Sequence, residues 1–309
     1  MVSKKSRRWP DTPTRLALPV TDNHTHLPVG EWEIPRASGV KLPLEEQLGR
    51  AAAVGIHRLI TVGCEIPDFD PMLENARQYR DQPVRVRAAL ALHPNEAPLH
   101  AGVDTPSPDG LQPRIKDHHC DLDSALAQLE ARLDDPLIVA VGETGVDRFR
   151  TAEDGIAAQK RSFAAHLELA RGRDLPVQIH DRDAHADCLD VLYDLGADKS
   201  QTPIIFHCFS GGPDLAEHCA RNGWYASFSG TVTFSANEDI RAALRAMPRT
   251  QVLVETDAPY LTPVPERGHP NASYVMAHTV RAIAELWDVS EADAITQLEE
   301  NTTRVYGQW

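Results

Sequence analysis

The chain has 309 residues, 42% of them hydrophobic and 25% charged, with 18 Gly and 23 Pro, which excludes disordered, collagen-like and disulfide-stapled classes. Its 31 Lys and Arg against 45 Asp and Glu give a formal net charge of -14, so a polyanionic substrate must be met by metal ions or a local basic patch. Five cysteines (Cys64, Cys120, Cys188, Cys208 and Cys219) form no Cys-x-x-Cys pair and read as reduced thiols.

The first residues carry a basic run, KKSRR at 4–8, that reads as solvated, with no apolar segment of signal-peptide length. Nowhere do 18 consecutive apolar residues occur, so the expectation is a cytoplasmic protein with no membrane contact and no obligate protein partner. A flexible tail is expected over residues 1–16 and a single domain over 17–309. Without a secretory segment, the Asn-x-Ser/Thr triplets at Asn23, Asn271 and Asn301 read as chance.

From residue 17 onward, short β-branched runs alternate with longer helix-like stretches. Strands are expected over 17–26, 57–64, 84–94, 137–144, 176–180, 203–210, 224–230 and 252–257. Helical stretches lie between them, as in LEEQLGRAAAVG and IAAQKRSFAAHLELARGRD, and two more are expected after residue 273, with Ser290 and Asp293 as a capping pair. This pattern predicts an α/β fold, a (β/α)8 TIM barrel with long βα loops over 28–43 and 95–119, after strands 1 and 3. The alternative is an open doubly wound sheet with a helical cap.

Metal-type residues gather at the predicted strand ends. His24 and His26, two apart, leave the same face of strand 1, while Glu143, His180, His207 and Asp257 end strands 4, 5, 6 and 8. In a closed barrel those ends form one ring. Four imidazoles and two carboxylates exceed what one tetrahedral ion needs and suit two bridged divalent ions, with Glu143 as the natural bridge. Any single histidine here reads more simply as a satisfied core residue; the coincidence of six carries the inference. No phosphate-binding loop, dinucleotide fingerprint, Gly-x-Ser-x-Gly elbow or His-Glu-x-x-His is present.

The segments DNHTHL, VGETGVD, VQIHDRDA, FHCFSG and ETDAPYL, in this order, resemble the TatD family of metal-dependent hydrolases in the amidohydrolase superfamily, over residues 20–309. The resemblance implies a TIM barrel with two divalent ions (Mg, Mn or Zn) that hydrolyses phosphodiesters, chiefly in DNA, often as a 3′ to 5′ exonuclease on single strands. It also implies that His24, His26, Glu143 and Asp257 hold one ion and Glu143, His180 and His207 the other. The sequence departs from the family pattern at Pro28, Asn95 and Asp181 and in RGHPNASY, without losing a ligand.

Asp257 is the candidate general base and Arg182 the candidate fork onto a phosphate, against the simpler reading of Arg182 paired with Asp181, Asp183 or Asp187. His93 could bond a leaving oxygen or merely cap its turn, and Ser210, Phe209 and Tyr260 line the expected rim. Single-stranded DNA is the expected partner. The rival chemistries are hydrolysis of a C–N or carboxylic ester bond, aminoacyl-tRNA esters included, and a barrel kept as a non-enzymatic interaction protein.

Overall fold

In the computed structural model, which describes residues 8–309, each of the eight expected runs forms a strand. In chain order the elements are β1 (Val20–Thr25), α1 (Leu44–Val54), β2 (Ile56–Gly63), α2 (Ile66–Tyr79), β3 (Arg85–Leu90), α3 (Ala97–His100), α4 (Leu122–Glu130) and β4 (Ile138–Asp147). They continue as α5 (Ile156–Arg171), β5 (Val177–Arg182), α6 (His185–Asp194), β6 (Ile204–Phe206), α7 (Pro213–Asn222), β7 (Tyr225–Phe228), α8 (Glu238–Ala246), β8 (Val252–Val254), α9 (Ala277–Trp287) and α10 (Glu291–Tyr306). Each strand pairs in parallel with its neighbour in sequence, in the order β1 to β8, which makes a (β/α)8 barrel.

The elements follow from their residues. The strands are buried on both faces and accordingly rich in Val, Ile, Leu and Ala. Helices stop and start at expected signals: α1 ends at Gly55 with φ 111°, and the Ser290 hydroxyl accepts the Asp293 N–H at 3.1 Å to cap α10. Among the described residues, no helix is long and apolar enough to cross a membrane, and all five cysteines are free.

Within the tail expected over 1–16, Trp9, Pro10 and Leu16 are buried against the body, while Arg8 and most of 11–15 are exposed. Trp9 is buried and its indole donates to the Val40 carbonyl at 3.2 Å, while the Leu16 N–H bonds Val54 at 2.8 Å. A large apolar ring with one polar handle gains more against the barrel than in water, which overrides the loop-like composition. Residues 1–7, with most of the basic run, lie outside the described residues.

The barrel closes between β8 and β1 largely through side chains. Carbonyls of Val252, Val254 and Thr256, on alternate residues along and just beyond β8, accept from the amides of Asn301 (2.8 Å), Asn23 (2.9 Å) and Asn271 (3.2 Å). These are the asparagines of the three Asn-x-Ser/Thr triplets, and all three are buried. The Asp22 carboxylate accepts the Thr256 N–H at 2.8 Å, and two backbone bonds finish the seam, Asp257 N–H to the His24 carbonyl (2.9 Å) and His26 N–H to Ala258 (2.7 Å). Asn301 also bonds the Arg249 carbonyl at 2.7 Å. Asn301→Ala should therefore orphan two carbonyls and lower the unfolding free energy by about 2–4 kcal/mol in urea titrations.

His166 on α5 is fully buried, donating from Nδ1 to the Ser162 carbonyl (2.6 Å) and accepting the Leu92 N–H at Nε2 (3.0 Å). Burial holds its imidazole down at about 4, so the unfolded chain, with an ordinary histidine, binds the extra proton first. Stability from this group is complete above pH 6.5 and falls as pH drops toward 4, by about 2 kcal/mol at pH 5. In urea unfolding at pH 7 and pH 5, His166→Gln should lose correspondingly less between the two than the wild type.

Candidate metal centre and cleft

At the C-terminal ends of the strands lies a cleft of about 970 Å³. Glu143 on β4 and His180 on β5 line it from within strands, and His26, His207 and Asp257 line it from one to three residues after β1, β6 and β8, while His24 on β1 is fully buried with its ring stacked on His207 at 4.0 Å. Two glycines in VGETGVD permit this packing. A Cβ on Gly145, at φ 144°, would stand 2.0 Å from the His180 carbonyl, and one on Gly142 would stand 2.5 Å from the Gln178 Cβ.

The six expected residues meet around Glu143. Its Oε1 is 3.7 Å from His24 Nε2 and 3.5 Å from His26 Nε2; its Oε2 is 2.9 Å from His180 Nδ1 and 2.6 Å from His207 Nε2. Asp257 Oδ1 stands 3.3 Å from His26 Nε2 and 3.8 Å from His24 Nε2. Donor atoms sharing one ion at about 2.0–2.2 Å lie about 3–3.5 Å apart, so the His24, His26 and Asp257 set is near that spacing already. His24 Nε2 is buried and has no hydrogen-bond partner among the described residues, an orphan that costs free energy unless something binds it.

The outer ring nitrogens decide which histidines face inward with a lone pair. Gln178 spends its amide on the Asn23 carbonyl and the Tyr306 hydroxyl, both at 2.9 Å, so its Oε1 accepts from His24 Nδ1 at 2.9 Å and leaves Nε2 free. Asp147 Oδ2 takes His180 Nε2 at 3.1 Å, and Glu255 Oε1 stands 3.4 Å from His207 Nδ1. His93 is set the other way. Its Nδ1 accepts the Asn95 N–H at 3.0 Å, which places the ring proton on Nε2, facing Glu143 at 3.8 Å. The same test separates a second cluster, Glu96, His118 and His119. The Lys116 N–H occupies His119 Nδ1 at 2.7 Å, so Nε2 donates to Glu96 at 2.8 Å, and the cluster is a hydrogen-bonded clasp on the long loop.

Burial alone would push the Glu143 and Asp257 carboxyls up, but the imidazoles outweigh it. The charge of His207 and bonds from His180 and His207 hold Glu143 well below the usual range. The His26 bond and the charges of His207 and His26 hold Asp257 below it. Burial should lower His180, yet bonds to Asp147 and Glu143 push it up to about 9, whereas His93, dominated by burial, falls to about 3 and stays neutral.

The remaining expected residues divide. Arg182 lines the cleft with its guanidinium 3.9 Å above the Phe149 ring. Of the three carboxylates weighed as its partners, Asp181 is engaged by His185 (2.7 Å) and Asp187 by Arg148 and Lys160 (2.5 and 2.6 Å), and neither Asp183 nor any other carboxylate among the described residues ion-pairs with Arg182. Ser210 lines the cleft but donates to the Asp181 carbonyl at 2.8 Å. Phe209 is buried against Phe228, ring centres 5.4 Å apart, because the chain turns at Cys208 (φ 42°); Tyr260 is 61% exposed at the rim. The sequence reading missed Asp147, Gln178 and Glu255. Gln178 and Glu255 each precede an expected donor by two residues, and that period of two was a usable signal.

The family model for TatD-related DNase matches residues 21–307. The chain belongs to this family. It is 38% identical over 293 residues to the "uncharacterized metal-dependent hydrolase TatD" of Mycobacterium tuberculosis, covering 93% of this chain and 98% of that one. It is 31% identical over 220 residues to the "3′-5′ ssDNA/RNA exonuclease TatD" of Cronobacter turicensis, covering 71% and 73%. Among solved structures, the TatD homologue YJJV of Escherichia coli superposes with a TM-score of 0.74 at 27% identity, covering 94% of this chain and 98% of that one. This TatD-family chain is thus a metal-dependent hydrolase. If Gln178 orients His24 for an ion, Gln178→Leu should weaken metal affinity by about 10–100-fold in chelator competition, with the folded spectrum retained.

Proposed function

We propose that this TatD-family chain hydrolyses phosphodiester bonds with two divalent ions, Mg, Mn or Zn, as a 3′ to 5′ exonuclease on single-stranded DNA. The observation that supports it is Glu143, whose two oxygens face separate groups of ring nitrogens, His24 and His26 beside Asp257 on one side, His180 and His207 on the other. In this reading His24, His26, Glu143 and Asp257 hold one ion and Glu143, His180 and His207 the other. The orphaned His24 Nε2 and the anionic Glu143 fit such ions. Two divalent ions, when bound, supply water activation at neutral pH and charge neutralisation at the phosphoryl group.

The chain's own groups then divide the work. Asp257, held anionic by the neighbouring imidazoles, orients the attacking water and accepts its proton. Arg182, unpaired and flattened against Phe149, donates to a non-bridging phosphate oxygen. His93, with its proton fixed on Nε2 by the Asn95 N–H, donates a hydrogen bond into the cleft without competing as a ligand. Support for the polynucleotide substrate comes from the exonuclease named in Cronobacter turicensis.

The test is release of mononucleotides from 3′-labelled single-stranded DNA by chelated protein, with Mg, Mn or Zn restored singly. Wild type should regain release, and Asp257→Asn, still holding metal, should lose about 100- to 10,000-fold in kcat. No release by a metal-loaded wild type would overturn the reading and point to amides, lactones or aminoacyl esters.

A further inference from the structure

The 95–119 segment encloses a second cavity of about 310 Å³ beside the main cleft. The two spaces share four lining residues, Asn95, Glu96, Leu111 and Arg150, and so meet along one wall. That wall is tied to the centre, because Asp147, which holds His180, also accepts from the Arg150 N–H at 2.7 Å and the Asn95 amide at 3.4 Å.

The cavity combines an apolar lining, including Pro98, Leu99 and Val103, with cations. The two carboxylates that line it, Glu96 and Asp154, and the nearby Asp109 are already engaged. Glu96 is held by His119 (2.8 Å), Asp154 by the Thr105 hydroxyl (2.6 Å) and Asp109 by Arg150 (2.9 Å). Lys116 pairs with Glu65 at 3.1 Å. Arg114 is different: it lines the cavity, is exposed, and has no hydrogen bond or ion pair among the described residues. The roof is built rather than loose, since these bonds pin residues 105, 109 and 116 to the body of the protein and clasp 119 to the start of the segment at Glu96.

We infer that this cavity is a subsite for the substrate strand, taking a nucleotide beyond those at the scissile bond, with Arg114 on its phosphate and the apolar wall under its base. The inference rests on the phosphodiesterase reading and extends it. An apolar surface for a base and a cation for its phosphate is the pattern by which proteins track single strands without reading sequence, and about 300 Å³ is the lower end of small-ligand pockets. The acidic chain meets its polyanion at two unpaired guanidiniums, Arg182 in the cleft and Arg114 in the second cavity.

The experiment compares hydrolysis of the thymidine dinucleotide TpT, too short to reach the subsite, with the hexanucleotide (dT)6, by wild type, Arg114→Gln and Arg114→Lys. Wild type should show kcat/KM at least about 10-fold higher on the hexanucleotide, a single-base contact of this kind being worth that much. Arg114→Gln should erase most of that ratio through KM and leave TpT unchanged, while Arg114→Lys retains it. In hexanucleotide binding, Arg114→Gln should also reduce the slope of log affinity against log salt by about 0.7. Equal rates on both substrates, or a ratio indifferent to Arg114→Gln, would overturn the subsite and leave the phosphodiesterase standing. Failure of metal-loaded wild type to cleave either substrate would overturn both.

Discussion

A parallel barrel has no free edge only if its last strand finds its first, and in this chain that last strand is three residues long. The carbonyls along it would each cost about 1–3 kcal/mol if buried unpaired. Asparagines from β1, from the segment before α9 and from α10 satisfy them in turn, and Asp22 takes the opposing N–H of Thr256. Closure and chemistry are one event here. The backbone bond from Asp257 to the His24 carbonyl joins the two ends of the barrel and sets Asp257 beside His24 and His26. Asp257 sits at φ 55°, a conformation that ordinary side chains avoid and that only a well-determined surrounding sustains.

The second constraint is electrostatic. Glu143 is buried, and a lone carboxylate there would be protonated. It is kept ionised by the imidazoles around it, and of those His24 and His180 are in turn fixed by Gln178 and Asp147 behind them, with Glu255 3.4 Å from His207. The Tyr306 hydroxyl, from the end of α10, supports Gln178 and so reaches the centre through two hydrogen bonds. A histidine's place in this scheme depends on which nitrogen its backing partner occupies. The carboxamide oxygen behind His24 turns a lone pair inward; a backbone N–H behind His93 and His119 turns a proton inward. Identical residue types thereby acquire opposite roles, which spacing along the chain cannot distinguish.

That limit describes what was legible in the sequence. Strands were readable because fully buried parallel strands are continuous apolar runs, and the donors because a barrel presents all its strand ends to one side. The reading ended strand 4 at residue 144, whereas β4 continues to Asp147, since Gly145 lets it pass close against the His180 backbone; that extension carries the partner of His180 out of sight. Gln178 and Glu255 lay on the right faces by period, yet each backs a histidine from a different strand, a pairing set by register around the ring. The three asparagines looked like chance triplets because their work depends on β8 carbonyls that no local pattern reveals. Trp9 made the same point at the N-terminus, where an isolated ring in a loop-like stretch found a tertiary site.

On the proposed phosphodiesterase reading, the long segment after β3 lets an acidic barrel meet an acidic substrate. A net charge of -14 sets the long-range field, but within a Debye length of about 8–10 Å the local arrangement governs. Along this segment Glu65, Glu96, Asp109 and Asp154 are each engaged by a neighbour on or beside the loop, so these four acids are spent on holding the roof. Arg182 escapes neutralisation because Asp181 is taken by His185 and Asp187 by Arg148 and Lys160, and the Phe149 face that flattens it offers no competing acceptor. The distribution of ion pairs, more than the count of charges, thus leaves positive charge where a strand would lie.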